Sequence, residues 1–151
     1  PAVTGQLLQA LQIRQVREAR ILLVGVGSGY TAALAAQLGA DVFAMDRYRR
    51  LCDAARRRML ELGLGNVAVR HGDGLFGWPE RGPYDRILLT GAIDEVPDVL
   101  LQQLAKGGAL IAPFRTADAQ HLLRMGADGT QERLAIARPL PPLMDGASKA
   151  L

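Results

Sequence analysis

A run of aliphatic residues followed by glycines at alternate positions, ILLVGVGSGY at residues 21–30, constrains this chain more than any other stretch. The aliphatic run reads as a buried strand, and the glycines mark a sharp turn into a helix. Such a turn sets backbone N–H groups and a helix N-terminus at the carboxyl end of a strand, where small ligands sit in open α/β sheets. Glycine also punctuates ordinary turns, so the rest of the chain has to decide between the two.

The rest repeats the same alternation. Leu7, Leu8 and Leu11 have helical spacing and predict a helix over 4–17. Residues 21–24 form the first strand. An alanine-rich helix over 31–40 stops near Gly39. DVFAMD (41–46) is a second strand. Leu51, Ala55, Met59 and Leu62 form the apolar stripe of the next helix, which Gly63 and Gly65 close. NVAVRHGDG (66–74) is a third strand running into a glycine turn, and YDRILLTGAI (84–93) a fourth. EVPDVLLQQLAKGG reads as a helix with a Lys-Gly-Gly stop, and ALIAPF as a fifth strand. HLLRMGADGTQERLAIARPLPPL then reads as a hairpin about an Asp-Gly turn. Strands alternating with helices imply βαβ units. The expected fold is α/β and Rossmann-like, a mostly parallel sheet with helices on both faces and a C-terminal antiparallel hairpin. Residues 1–151 are expected to form one domain.

Composition excludes several partners. A net charge of +3 is too small a field to argue for nucleic acid. The arginines at 47, 49, 50, 56, 57 and 58 read as the solvated face of a helix, with no interleaved aromatic platform. No apolar run approaches a membrane span, and the start PAVTGQLLQALQ lacks the features of a signal peptide. One cysteine, Cys52, excludes an internal disulfide and fits a reducing compartment, so a cytoplasmic location is expected. Cys52 reads as a core thiol on a helix away from the strand ends. His71 and His121 lack metal-ligand spacing, and no metal is expected. Trp78 reads as a packing residue. Asp94 and Glu95 read as caps of the following helix rather than a catalytic pair.

The glycine pattern itself narrows the ligand. Dinucleotide turns use G-x-G-x-x-G, whose third glycine lets helix and strand approach closely. Here Gly25, Gly27 and Gly29 make G-x-G-x-G, and Tyr30 stands where it would obstruct that approach. The Lys-Ser/Thr pair of a P-loop is absent as well. Asp46, closing the second strand, can accept hydrogen bonds from two ribose hydroxyls. Asp73, at the end of the third strand, can accept from an adenine amine. Three successive strand ends with these groups describe a site for S-adenosylmethionine.

LLVGVGSGY, DVFAMDR, NVAVRHGDGLFGWPERGPYDRILLTGAIDEVP and LLQQLAKGGALIAP, with Gln120 and the PLPPL ending, carry a family likeness. On these segments the chain resembles the protein-L-isoaspartate O-methyltransferases, class I S-adenosylmethionine-dependent enzymes. The resemblance implies a cofactor-binding set of Gly25, Val26, Gly27, Ser28, Gly29, Asp46, Arg47, Gly72, Asp73, Gly74 and Thr90. Within it, residues 25–29 lie under the methionine portion, Asp46 takes the ribose, and Asp73 with Gly74 meets the adenine edge. Thr90 sits near the methyl-transfer centre. The implied substrate is the free α-carboxylate of an isoaspartyl linkage in damaged proteins or peptides, and methylation makes it a leaving group for repair.

The family's first strand carries an acid two places before the first glycine, where this chain has Leu23. Its N-terminal Thr/Ile-Ser-Gln-Pro motif aligns its proline with Pro1, so the motif's serine precedes this sequence. These two departures keep other readings open: a methyltransferase-like binding or interaction module, or a methyltransferase with another acceptor. No catalytic residue is assigned.

Overall fold

The computed structural model describes residues 2–16, 18–27, 29–136 and 139–143. Its sheet is built around β1 (Arg20–Val24), which pairs in parallel with β2 (Asp41–Asp46) on one side and β4 (Tyr84–Leu89) on the other. β3 (Val67–His71) lies outside β2. On the far side β5 (Leu104–Arg115) follows β4 in parallel, and β6 (Gln120–Gly126) and β7 (Gln131–Ala135) complete the sheet as an antiparallel hairpin. The order is β3-β2-β1-β4-β5-β6-β7. The parallel sheet and terminal hairpin are as the sequence predicts.

Alternation along β1 divides the core in two. Ile21 and Leu23 face a layer made by α1 (Ala2–Leu11), α2 (Tyr30–Gln37) and α3 (Arg49–Glu61), with Leu7, Leu11, Ala55 and Met59 buried there. Leu22 and Val24 face the other layer, with Phe43, Tyr84, Ile87 and Leu100. That second layer holds α4 (Asp98–Leu101) and two 3₁₀ turns at Gly74–Phe76 and Pro79–Arg81. Burying both faces of a parallel strand explains why β1 reads as an unbroken apolar run. Among the described residues, no helix is long and apolar enough to cross a membrane.

Several elements differ from the sequence expectation. The opening helix ends at Leu11 and is followed by a 3₁₀ turn at Ile13–Gln15. α4 is a single turn, and the Lys-Gly-Gly that reads as its stop lies inside β5. Tyr84 pairs with Leu104 and Arg86 with Ala109, so β5 bulges outward between them, with Gly107 at φ +77°. Gly108 sits so close under the carbonyls of Ala105, Tyr84 and Asp85 that no side chain fits. Leu62, expected on the buried stripe of α3, lies beyond the helix and is exposed. Asp94 caps nothing. The residue before α4 is Pro97, and Asp94 makes a bidentate pair with Arg115 (2.8 and 3.0 Å). This ion pair holds the Asp94 carboxyl below its ordinary pKa.

Tyr30 also behaves differently from its expected role. It is 47% exposed at the start of α2 and does not wedge helix from strand. The helix approaches the sheet through Ala32, Ala33, Ala35 and Ala36, all buried. Close approach here comes from alanines, without the third glycine of a dinucleotide turn.

Candidate functional site

The direction of chain progression reverses between β1 and β4, and open α/β sheets have their cleft outside the strand ends at such a point. Register brings the last residues of β1, β2 and β3 side by side here, with Val24 opposite Met45 and Asp46 opposite His71. The turn after β1 needs its glycines for different reasons. Gly25 has φ +95°, and an added Cβ would lie 2.1 Å from Thr90 Oγ1. Gly27 (φ +52°) has open space where a Cβ would be. Gly29 (φ +84°) precedes α2 and packs against Met59 and Ala55 of α3. Ser28 lies outside the described residues.

Asp46 is 7% exposed and holds the turn from beneath. Its Oδ2 accepts from the Val26 N–H and its Oδ1 from the Tyr48 N–H, both at 2.9 Å. A carboxylate with two such bonds keeps lone pairs for further donors. Val26 itself is buried in the core and contributes to the turn through its backbone. Arg47, next along, turns its guanidinium over the Tyr48 ring at 4.9 Å. Among the described residues its buried Nε and Nη1 have no hydrogen-bond partner. Unpartnered buried nitrogens of a cation are costly, so this pair of donors fits a ligand acceptor.

The third strand end contributes a tight glycine turn. Gly72 N–H donates to Asp46 O at 2.9 Å, tying the turn to β2. Asp73 Oδ1 accepts from Leu75 N–H at 3.0 Å and caps the 3₁₀ turn. Gly74 lies over β1, where a Cβ would come within 2.5 Å of Val24 Cγ1. Thr90 stands behind the first turn. Its N–H donates to Val24 O, and its hydroxyl lies 3.0 and 2.9 Å from the carbonyls of Val24 and Gly25. The hydroxyl therefore supports the turn rather than facing the cleft.

The expected residues Gly25, Asp46, Arg47, Asp73 and Gly74 line the cleft together with Val24, Met45, Leu75 and Leu143, which the sequence does not single out. The last described segment, 139–143, runs beside residues 91–92 and puts Leu143 over Gly25 and Gly91. The PLPPL ending is the only signal for it in the sequence. A wider groove at the opposite end of the sheet, with Lys106, Arg124, Asp128 and Glu132 around the β5 bulge, lies away from these strand ends.

Cys52 does not lie away from the strand ends, as its place on a helix suggests. Its Sγ is 3.6 Å from the carbonyls of both Asp46 and Arg70, directly under the ends of β2 and β3. Burial, with the Asp46 carboxylate nearby, raises its thiol pKa, so it stays a protonated core group. Trp78 packs edge-on against Phe43, with Arg70 and Arg81 over its ring, as a packing residue should. The arginines 49, 50, 56, 57 and 58 of α3 are exposed.

A reversing parallel sheet, a glycine turn after β1 and an acid closing β2 define the class I methyltransferase fold. A solved structure titled protein-L-isoaspartate O-methyltransferase superposes with a TM-score of 0.85 at 28% identity, covering 95% of this chain and 47% of that one. The Plasmodium falciparum structure, titled as a PCMT in complex with S-adenosyl-L-homocysteine, gives 0.78 at 21% identity, over 93% of this chain and 72% of that one.

The family described as Protein-L-isoaspartate(D-aspartate) O-methyltransferase (PCMT) matches residues 1–137, and the chain belongs to it. A relative of that name from Xanthomonas axonopodis pv. citri (strain 306) is 42% identical over 149 residues, 97% of this chain. One from Caulobacter sp. (strain K31) is 39% identical over 99% of it. The chain spans 65% of the length of the Xanthomonas relative and 69% of the Caulobacter one.

Proposed function

We propose that residues 1–151 act as one S-adenosylmethionine-binding methyltransferase domain, and that its reaction is methylation of the free α-carboxylate of isoaspartyl residues in proteins. The observation that carries the reading is the convergence of the glycine turn, Asp46 and the Gly72–Asp73–Gly74 turn on one cleft, in a chain of this family. The bound cofactor would supply an electrophilic methyl group on a sulfonium.

The chain's own groups fit that ligand. Asp46, already oriented by two backbone N–H groups, has lone pairs left for vicinal ribose hydroxyls. Arg47 offers its two unpartnered nitrogens to an acceptor on the ligand. Asp73 and Gly74 stand where an adenine edge would meet the third strand end. Thr90 keeps the first turn in shape. No general base is required, because a carboxylate is ionised at neutral pH. Catalysis then rests on alignment of the two reactants in a dry pocket. A cytoplasmic location goes with this reading.

Leu23 favours a second reading. It lies in the core at 2% exposure, between Ala44 and Leu88, where the family resemblance expects an acid. A chain without that acid could keep the fold and the cofactor but not turnover. Transfer of labelled methyl to an isoaspartyl peptide, with the matching aspartyl peptide as control, separates the two. Base-labile label on the isoaspartyl peptide alone supports repair methylation. Binding of S-adenosylhomocysteine without transfer to either peptide supports the binding module.

A further inference from the structure

Proline leaves the PLPPL segment very few ways to attach itself. Residues 139, 141 and 142 have no N–H, so Leu140 and Leu143 hold its two backbone donors. Both are used. Leu140 N–H donates to Gln120 Oε1 at 2.9 Å, while Gln120 Nε2 donates to Leu140 O at 2.8 Å. The side-chain amide of Gln120 thus pairs with one residue of the segment as a neighbouring strand would. Three residues on, Leu143 N–H donates to Ala92 O, and Ala92 N–H donates to Pro141 O, each at 2.9 Å. A Cβ at Gly91 would lie 2.8 Å from Leu143 Cδ2, so the segment seats against a glycine. Leu143 reaches the cleft from this seat.

We propose that Gln120 is a positioning residue for the cofactor cleft, acting through Leu143. Gln120 fixes the near end of the segment, the prolines make the span to Leu143 stiff, and Leu143 closes the cleft over the glycine turn. The inference rests on the cofactor reading above. The side chain that does the positioning belongs to β6, two strands away from β4 and the cleft.

A double-mutant cycle tests it, with S-adenosylhomocysteine affinity measured by calorimetry in the unaltered chain, Gln120→Ala, Leu143→Ala and the double variant. Gln120→Ala is expected to weaken binding about tenfold, the size of one lost apolar contact with a bound ligand. In the Leu143→Ala background the same change is expected to cost less than about twofold, since the residue it acts through is gone. Amide exchange at Ala92 and Leu143 should quicken at least about tenfold in Gln120→Ala, with a thermal midpoint showing the domain still folded. Gln120→Glu keeps the acceptor for Leu140 N–H but sets a carboxylate against its carbonyl, and is expected to bind as poorly as Gln120→Ala. Equal losses in both backgrounds, unchanged exchange, or tighter binding in Gln120→Ala overturns the inference. If the unaltered chain binds no S-adenosylhomocysteine while exchange still responds to Gln120, the cofactor reading has failed and the clamp has not.

Discussion

Asp46 Oδ2 accepts the Val26 N–H at 2.9 Å, so the last residue of β2 holds the turn that follows β1. The same carboxylate reaches Tyr48 N–H with its other oxygen and fixes the entry to α3. One buried charge therefore sets the relative position of two strand ends and the helix between β2 and β3. The ribose role proposed for Asp46 would be added to this structural one.

Asp46→Asn separates the two roles only in part, because the amide has one acceptor oxygen for two backbone donors. One N–H is left facing an NH₂ group, a loss expected to cost about 1–3 kcal/mol of stability. Urea unfolding measures that. S-adenosylhomocysteine affinity should fall at least about tenfold in the folded variant, since a charge-assisted acceptor is lost. Unchanged affinity would remove Asp46 from the ligand's contacts.

The first two glycines of the turn should respond very differently to alanine. At Gly25 the new methyl collides with Thr90 Oγ1 and φ is +95°. At Gly27 only the backbone conformation is strained. Gly27→Ala is expected to cost about 1–2 kcal/mol and Gly25→Ala about twice as much or more. Thr90→Ala should recover part of the Gly25→Ala loss, as contacting residues are not additive. Additive losses in the double variant would show that the collision is relieved some other way.

This contrast bears on what the sequence could reveal. The glycine turn and the acid ending β2 were legible because their patterns are local: an apolar run, alternating glycines, a carboxylate at a strand end. Lys106-Gly107-Gly108 misleads for the same reason. Locally it is a helix stop, and only the carbonyls of Tyr84 and Asp85 on the neighbouring strand make it a bulge. Cys52 against the Arg70 carbonyl, Arg115 on Asp94 and Leu143 over Gly25 are contacts between separate elements of the chain. No periodicity reports them.

Tyr84 links stability to alkaline pH. Its ring is fully buried beside Phe43 and its hydroxyl donates to the Trp78 carbonyl. Burial raises the phenol from 10.0 to about 12. A folded-state pKa above the unfolded one means the contribution is whole below pH 10 and lost as pH rises through about 12. The total lost is about 2–3 kcal/mol. Unfolding free energies from pH 9 to 12 should therefore fall more steeply for the unaltered chain than for Tyr84→Phe. Parallel declines would mean the phenol ionises without resistance from the fold.

With one side chain, Gln103 ties the loop after β3 to α4. Its Oε1 accepts the Trp78 N–H, and its Nε2 donates to the carbonyls of Phe76 and Val99, all at 3.0 Å. Gly77 (φ +72°) passes so close that a Cβ would meet the amide at 2.3 Å. With the residue buried, Gln103→Ala leaves one donor and two acceptors without their partner, and should cost about 2–4 kcal/mol. Gln103→Glu keeps the shape but turns an acceptor-only carboxylate toward two carbonyls, so it should be the worse of the two at neutral pH. Protonation supplies one donor again and relieves the charge. The gap between Gln103→Glu and Gln103→Ala should therefore narrow as pH falls toward 5. Urea unfolding of both variants across that range measures it, and a gap independent of pH would mean the carboxylate escapes to solvent instead of facing Phe76 and Val99.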